Sequence, residues 1–594
     1  MNSPFSSGRF VCSTALIVCL AAGSSSLMSA NDHTPAGDSQ PITAFELKDW
    51  RGRTVSLNDF ADAKIVVLAV LGTECPLAKL YAPRLQALAD EYAQRGVRFI
   101  GLAPNTQDSI TDLAAYARRH RIRFPLLKDV GNRVADELSA VRTPEVYVLD
   151  SRRIVRYRGR IDDQYGIDYA RNRPSRTYLK DAMDALLSGD VPAVAAVESV
   201  GCHIGRVRRP KPDSPITYYE HIGPILRRRC VQCHRDGEIA PFALVDAEEV
   251  TGWADMIREV VDQNRMPPWH ADDQGLPLEN DRRLSRQEKS LIRRWAAAGA
   301  PLGTPRPLSP LPPRPQGWNL PKTPDAVFEI ADKPVSVPAE GAVEYRYYRV
   351  ETHFAEEKWV SAIEVQPGNR AVVHHILVFV FDPADPKSQK IGIDGFLAAY
   401  VPGLRTRPFP HGMARRIPAG ATLVFQMHYT PVGTPQEDLS RIGLVFTDPD
   451  TIAYELQTKA VAQLELNIPP GADDVAFEAV SQRVPAGIRL LSFNPHMHLR
   501  GKSFRYLLES PGQPPRLLLN IPHYDFNWQT DYWLKTPLVV PRGSRLRVVA
   551  HYDNSANNLN NPAPDQWVRW GEQTWDEMMI GYVTIATPKR SRRQ

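Results

Sequence analysis

Five consecutive residues, Cys230-Val-Gln-Cys233-His234, constrain this chain more than any other stretch. Two thiols three positions apart can each bond one vinyl group of a haem. The histidine that follows is then held beneath the iron as its proximal ligand. A structural zinc site would need a second cysteine pair at similar spacing, and the sequence has none. The stretch therefore predicts one covalently attached c-type haem at Cys230, Cys233 and His234.

Bacterial haem of this type is attached outside the cytoplasm, and the first thirty residues agree with export. Arg9 supplies a positive start, Phe10 to Gly23 an apolar core, and Ser24 to Ala30 small residues suited to cleavage. Residues 1–30 are thus expected to be a signal peptide, giving a periplasmic or secreted protein of the bacterial envelope. No later run reaches the roughly 18 apolar residues of a membrane span, so none is expected in the mature chain. Cys12 and Cys19 would leave with the leader, and Cys75 and Cys202 would remain as one pair in an oxidising compartment. A net charge of +5 over 594 residues, with no basic run interleaved with aromatics, gives no case for nucleic acid.

The hydrophobic pattern changes three times along the chain. Residues 40–205 alternate strand and helix signals: an apolar run Lys64 to Leu71, a helical stretch Leu80 to Arg95, then a strand Gly96 to Pro104. A helix Ser109 to His120 and a strand Glu145 to Asp150 follow. Such alternation predicts an α/β domain with a mainly parallel sheet. Residues 212–302 read as a small all-α domain around the haem turn. Residues 303–324 are a Pro-rich linker, expected to be extended. From 325 onward, short alternating strands broken by Pro, Gly and Asn predict two all-β, jelly-roll-like sandwiches, at 325–462 and 463–594.

In the first domain Cys75 opens a helix directly after a long strand, where a helix N-terminus favours thiolate. Thr143-Pro144 precedes a later strand. This arrangement resembles the thioredoxin-like redoxins, which implies a cis-proline facing a reactive Cys75. Ala78 stands where thioredoxins carry a second cysteine, and Gly72 where peroxiredoxins carry a threonine. Cys202 is the candidate resolving partner; a static disulfide between Cys75 and Cys202 is the alternative. In the second domain, Met266 and His270 are the two candidates for the distal haem position. Met266 is preferred, because small cytochrome c domains use a loop methionine and a thioether raises the haem potential. With both positions filled, that haem would carry electrons and would not bind oxygen.

The last region places histidines inside apolar strands, where an imidazole is costly unless paired or metal-bound. His374 and His375 lie in Ala371 to Phe381, His428 in Phe425 to Thr430, and His496 and His498 in Asn494 to Gly501. His496 and His498 are two apart, so on a strand they share one face. His374 and His375 point to opposite faces of a regular strand; joint use of one ion would require a bulge or different ring nitrogens.

These motifs, in this order, resemble the copper type II, ascorbate-dependent monooxygenases. The resemblance implies two separated copper ions. His374, His375 and His428 would hold the electron-storing one, and His496, His498 and Met578 the oxygen-binding one. Tyr582 matches a substrate-side tyrosine. Asn494 and Ile580 replace the arginine and asparagine with which the peptide-processing members hold a carboxylate, so a peptide ending in glycine is not expected as substrate. The implied activity is hydroxylation of a C–H bond of an unidentified organic substrate with O2. Electrons would come from a small-molecule reductant or other donor, through the haem and the thiol domain. Two other readings use the same residues: a copper and haem electron-transfer or copper-handling protein, and an envelope thiol oxidoreductase.

Overall fold

The computed structural model describes residues 40–167, 169–171, 173–311, 317–341, 343–385, 395–404 and 406–589. The expected leader, with Cys12 and Cys19, lies outside the described residues, as does part of the Pro-rich linker.

Ile65–Val70 is buried along its whole length, as a strand must be when both faces of its sheet are covered. It lies in a seven-stranded sheet running Thr54–Ser56, Glu46–Asp49, Leu126–Lys128, Val97–Ala103, Ile65–Val70, Glu145–Leu149, Val155–Gly159. Helices Pro76–Tyr92 and Ile110–Arg119 follow the strands Ile65–Val70 and Val97–Ala103. The second helix starts with a reciprocal cap between Ser109 and Asp112. The sheet is mixed, not mainly parallel. Parallel pairing joins only Ile65–Val70 to Val97–Ala103 and Val97–Ala103 to Leu126–Lys128, and the other four neighbouring pairs are antiparallel. Glu145–Leu149 and Val155–Gly159 are joined by a short turn, which can link only antiparallel neighbours.

Five helical segments between Tyr218 and Ala297 follow. The sequence suggests a separate domain here, but the core is shared. Tyr218, Trp253 and Trp295 belong to the same buried cluster as Tyr81, Leu85 and Tyr116 of the α/β sheet's flank. Nor is the segment helical throughout. Residues 269–280 extend along the last β unit, with backbone bonds from Asp272 to Asn520 (3.0 Å), Leu276 to Leu518 (2.8 Å) and Glu279 to Trp533 (2.8 Å). Trp269 and Ala271 are buried in that unit's core beside Phe493 and Tyr532. The haem turn and the β region are thereby fixed to each other.

The β-rich region is two sandwiches that share one eight-stranded sheet. Its order is Ala326–Glu329, Arg441–Phe446, Lys358–Gln366, Met413–Ile417, Tyr454–Ala462, Ile580–Pro588, Arg489–His496, Tyr532–Val539. A four-stranded sheet packs on the first half, in the order Arg346–Glu351, Thr422–Tyr429, Val373–Phe381, Phe396–Tyr400. A second, containing Gly501–Glu509 and Arg545–Tyr552, packs on the other half. Tyr454–Ala462 pairs over its full length with Ile580–Pro588. That pairing is between residues over a hundred positions apart, which no local pattern reveals.

Candidate metal centres and the thiol pair

Cys75 is the N-cap of the helix Pro76–Tyr92, at the end of the central strand. Its sulfur lies 2.9 Å from the carbonyl oxygen of Thr143, whose peptide bond to Pro144 is cis. Thr143 is paired across a short ladder with Cys202, which brings the two cysteines together although 126 positions separate them in the chain. Burial pushes the Cys75 thiol up, but hydrogen bonds from Cys202, Thr143 and the Ala78 and Cys202 amides outweigh it and leave the thiol below its ordinary value. Cys202 moves well above its own, because it hydrogen-bonds to Cys75 and is itself buried. Of the two thiols, the surroundings favour the thiolate at Cys75 and the protonated form at Cys202. The glycine at 72 is dictated by packing: a Cβ there would come within 2.5 Å of the Asn105 amide and 2.9 Å of the Thr143 hydroxyl.

The same ladder is tied to the helix Ala254–Asp262. His203, next to Cys202, bonds Glu259 at 2.7 Å. Arg142, next to Thr143, reaches Glu259 at 2.8 Å, and Arg265, next to Met266, reaches it at 2.7 Å. One carboxylate on the helix Ala254–Asp262 thus ties the thiol pair to the segment carrying the preferred distal ligand.

Cys230, Cys233 and His234 occupy one helical turn at the end of Gly223–Arg229, with the Cys233 and His234 amides both on the Cys230 carbonyl at 3.0 and 2.9 Å. Burial pushes the Cys230 thiol up to about 12, so as a free thiol it is neutral. His234 Nδ1 donates to the Phe242 carbonyl at 3.1 Å, which turns Nε2 outward as an electron-pair donor. Burial holds this imidazole neutral, near 4. Two thiols and a neutral, oriented imidazole on one turn fit covalent haem. Met266 is half-buried beside Arg265, whereas His270 sits on the segment docked to the last β unit.

The strand Val373–Phe381 carries a bulge between Val373 and His375 where it pairs with Thr422–Tyr429, and His375 faces His428 across that ladder. The bulge turns both neighbouring histidines inward. His374 Nδ1 lies 3.0 Å from His375 Nδ1, which lies 3.4 Å from His428 Nδ1, and donor nitrogens of all three fall within 4.8 Å of one another. Nitrogens bound tetrahedrally to one ion at about 2.0 Å stand roughly 3.3 Å apart. His374 Nε2 faces Asn527 at 3.4 Å, which leaves Nδ1 bare. Burial depresses all three imidazoles, so they are neutral. This donor set fits a copper ion.

His496 and His498 use the opposite nitrogen. His496 Nδ1 donates to Gln529 Oε1 at 2.7 Å, and His498 Nδ1 to the Asp576 carbonyl at 3.3 Å. His498 Nε2 is buried with no hydrogen-bond partner, a costly arrangement that a metal ion would relieve. Met578 is brought alongside by register. His496 pairs with Ile580 at the end of the ladder, and Met578 lies two residues before Ile580. Glu577 fixes this: its carboxylate accepts from the amides of His498 (2.8 Å), Arg500 (2.7 Å) and Met578 (3.1 Å). Met579, the neighbouring alternative, is buried in the sandwich core.

The two histidine groups pack against the same aromatic side chains, Tyr345 and Phe526. The Tyr345 ring is 4.9 Å from that of His428, 5.6 Å from His375 and 6.5 Å from His498. Phe526 stacks on His374 at 5.2 Å and lies 6.0 Å from His498. Tyr582 is buried 6.4 Å from the His496 ring and stacks on Phe396.

The AhpC/TSA family matches residues 39–158. The N-terminal unit is a redoxin domain. Peroxiredoxin Q from Triticum aestivum is 30% identical to the chain over 120 residues, covering 19% of this chain and 54% of its own. DBH-like monooxygenase protein 1 from Mus musculus is 24% identical over 304 residues, covering 45% of this chain and 48% of its own. The chain thus spans about half the length of the curated relatives it matches. The crystal structure of peroxidoxin BcpB from Mycobacterium tuberculosis is 25% identical, covering 20% of this chain and 80% of that one, with a TM-score of 0.18.

In the redoxin domain, Cys75 and Cys202 are expected to form and break one disulfide. Alkylation followed by mass measurement should find two more blocked thiols after reduction than after oxidation. Cys202→Ser should leave Cys75 permanently alkylatable, whereas a pair that never opens under mild reductant would be purely structural.

Four further residues at the metal centres escape a reading of the sequence. Tyr345, Phe526 and Gln529 come from loops far from any histidine motif and carry no local signal. Glu577 had one: it is the second of two adjacent carboxylates, Asp576 and Glu577, directly before Met578. Among the other histidines, His551 makes a surface pair with Asp474 at 2.8 Å.

Proposed function

We propose that the protein is an exported, copper-dependent monooxygenase, supplied with electrons through a covalently bound haem and, upstream, the redoxin thiols. The observation that carries this is the aromatic pair Tyr345 and Phe526, against which two differently wired imidazole sets pack. One set offers Nδ1 and the other Nε2. His374, His375 and His428 would hold one copper ion, and His496, His498 and Met578 the other. Copper there would supply one-electron chemistry with O2 to oxidise a substrate C–H bond, and haem at Cys230, Cys233 and His234 would carry single electrons.

The chain's own residues set the conditions for that chemistry. Burial keeps the five imidazoles neutral and therefore able to donate electron pairs. Asn527, Gln529 and the Asp576 carbonyl each hold one ring nitrogen, which fixes the tautomer and the direction of the other. Tyr345 and Phe526 keep water out and pack against both sets. The Met578 thioether favours a reduced ion. Glu259 joins the thiol pair to the segment before Met266, giving the dithiol a short route to the haem turn. A second reading, a thiol-disulfide oxidoreductase of the envelope, is favoured by the Cys75–Cys202 contact and needs neither metal.

Metal content and the visible spectrum of the exported, matured protein test this directly. Two copper ions and one low-spin haem per chain are expected. Full thiol turnover in protein lacking both would favour the second reading.

A further inference from the structure

A cavity of about 400 Å³ opens where the helical region and the two β units meet. That volume suits a small organic molecule. Arg228, Arg229 and Arg282 enter it from the helical region, Arg407 from the first β unit, and Thr530 and Asp531 from the second. Four guanidinium groups therefore face two carboxylates, Asp281 and Asp531. Asp281 is already held by Arg283 through bonds of 3.0 and 2.6 Å. Arg228 and Arg229 share the single carboxylate of Glu288, each at 3.5 Å, which is too long for a good hydrogen bond. Arg407 bonds Glu279 and lies 4.9 Å over the ring of Trp533. Arg282 bonds the Gly403 carbonyl at 2.7 Å, so each arginine has a protein partner, and four guanidinium groups against two carboxylates leave the lining cationic.

The position is as informative as the charge. Gln232, between the two haem-turn cysteines, forms one wall. On the opposite side Thr530 is the neighbour of Gln529, which holds His496 by Nδ1. The cavity lining thus stands one residue along the chain from the side chain that holds His496.

We propose that this cavity is a binding site for a small organic carboxylate, recognised by Arg228, Arg229, Arg282 and Arg407. Its ligand spans all three regions and so braces the haem turn against the last β unit. None of the residues proposed as copper ligands lines the cavity, so its ligand is distinct from the compound proposed to be oxidised. The site needs no metal, so it stands or falls apart from the copper reading.

Calorimetry on the full-length, metal-free protein tests this, with succinate as the probe and succinamide as its uncharged counterpart. Succinate should bind and succinamide should bind at least about tenfold more weakly, since each charge-assisted bond contributes more than a tenfold factor. Arg407→Gln and Arg228→Gln should each weaken succinate by about tenfold, and added salt should weaken it further. Arg228 is largely exposed, so its variant keeps the test valid if the other misfolds. His498→Ala should bind succinate normally. Equal affinity for the two probes, unchanged affinity in both arginine variants, or no succinate binding at millimolar concentration would overturn the assignment.

Discussion

Glu577→Ala is expected to destabilise the last β unit by roughly 3–5 kcal/mol and to abolish metal binding at His496 and His498. Its carboxylate is fully buried and accepts from three backbone amides, those of His498, Arg500 and Met578. Alanine would leave all three donors without an acceptor in a dry interior, and would release the strand carrying Met578 from the one carrying His498. Glu577→Gln keeps one carbonyl acceptor and should cost markedly less. The two variants also differ from the parent in pH dependence. Burial holds the Glu577 carboxyl up at about 7, against the pull of its amide donors. A folded-state value above the unfolded one means that the unfolded chain gives up its proton first as pH rises. The stability linked to this group is therefore complete below about pH 4.5 and is lost between there and pH 7. Thermal melts across that window should show a falling limb in the parent that is missing in both variants. An unchanged melting temperature for Glu577→Ala would remove Glu577 from the account.

His498→Ala is expected to halve the copper content, from two ions per chain to one, while leaving the other centre intact. His498 supplies a buried Nε2 with no other partner, so removing it takes away one of three ligands and leaves His496 and Met578 to hold an ion alone. Loss of one imidazole ligand typically weakens a metal site far beyond the tenfold to hundredfold effect of losing an outer hydrogen bond. His374, His375 and His428 sit on different strands, fixed by their own ladder, and should keep their ion. Electron paramagnetic resonance of the oxidised protein can count both signals. A variant that retains two ions would place the second copper elsewhere. His428→Ala should give the complementary result, with the other signal lost.

Much of this was legible in the residues themselves. Neighbouring histidines in a regular strand can share an ion only through a bulge or different ring nitrogens, and a bulge lies between Val373 and His375. The burial of Ile65–Val70 along its whole length and the capping of the helix at Ser109 follow from local pattern. What escaped was non-local. Tyr454–Ala462 lies between Met413–Ile417 and the final strand Ile580–Pro588 in one continuous sheet, a pairing that no local pattern shows. The segment 269–280 reads as part of a helical domain, yet Trp269 finds its core in the other half of the chain. The two histidine groups pack against Tyr345 and Phe526, which share no motif with them. Spacing identifies ligands on one strand; only the packing of sheets says how far apart two strands' ligands end up.

The central claim is that O2 is consumed at the centre of His496, His498 and Met578. The most direct test loads the full-length protein with copper, reduces it, and follows oxygen uptake in the parent and in Met578→Ala. The parent should consume oxygen promptly, and the variant, whose fold keeps Glu577 and both histidines, should lose most of that rate. Equal uptake in the two would contradict the account.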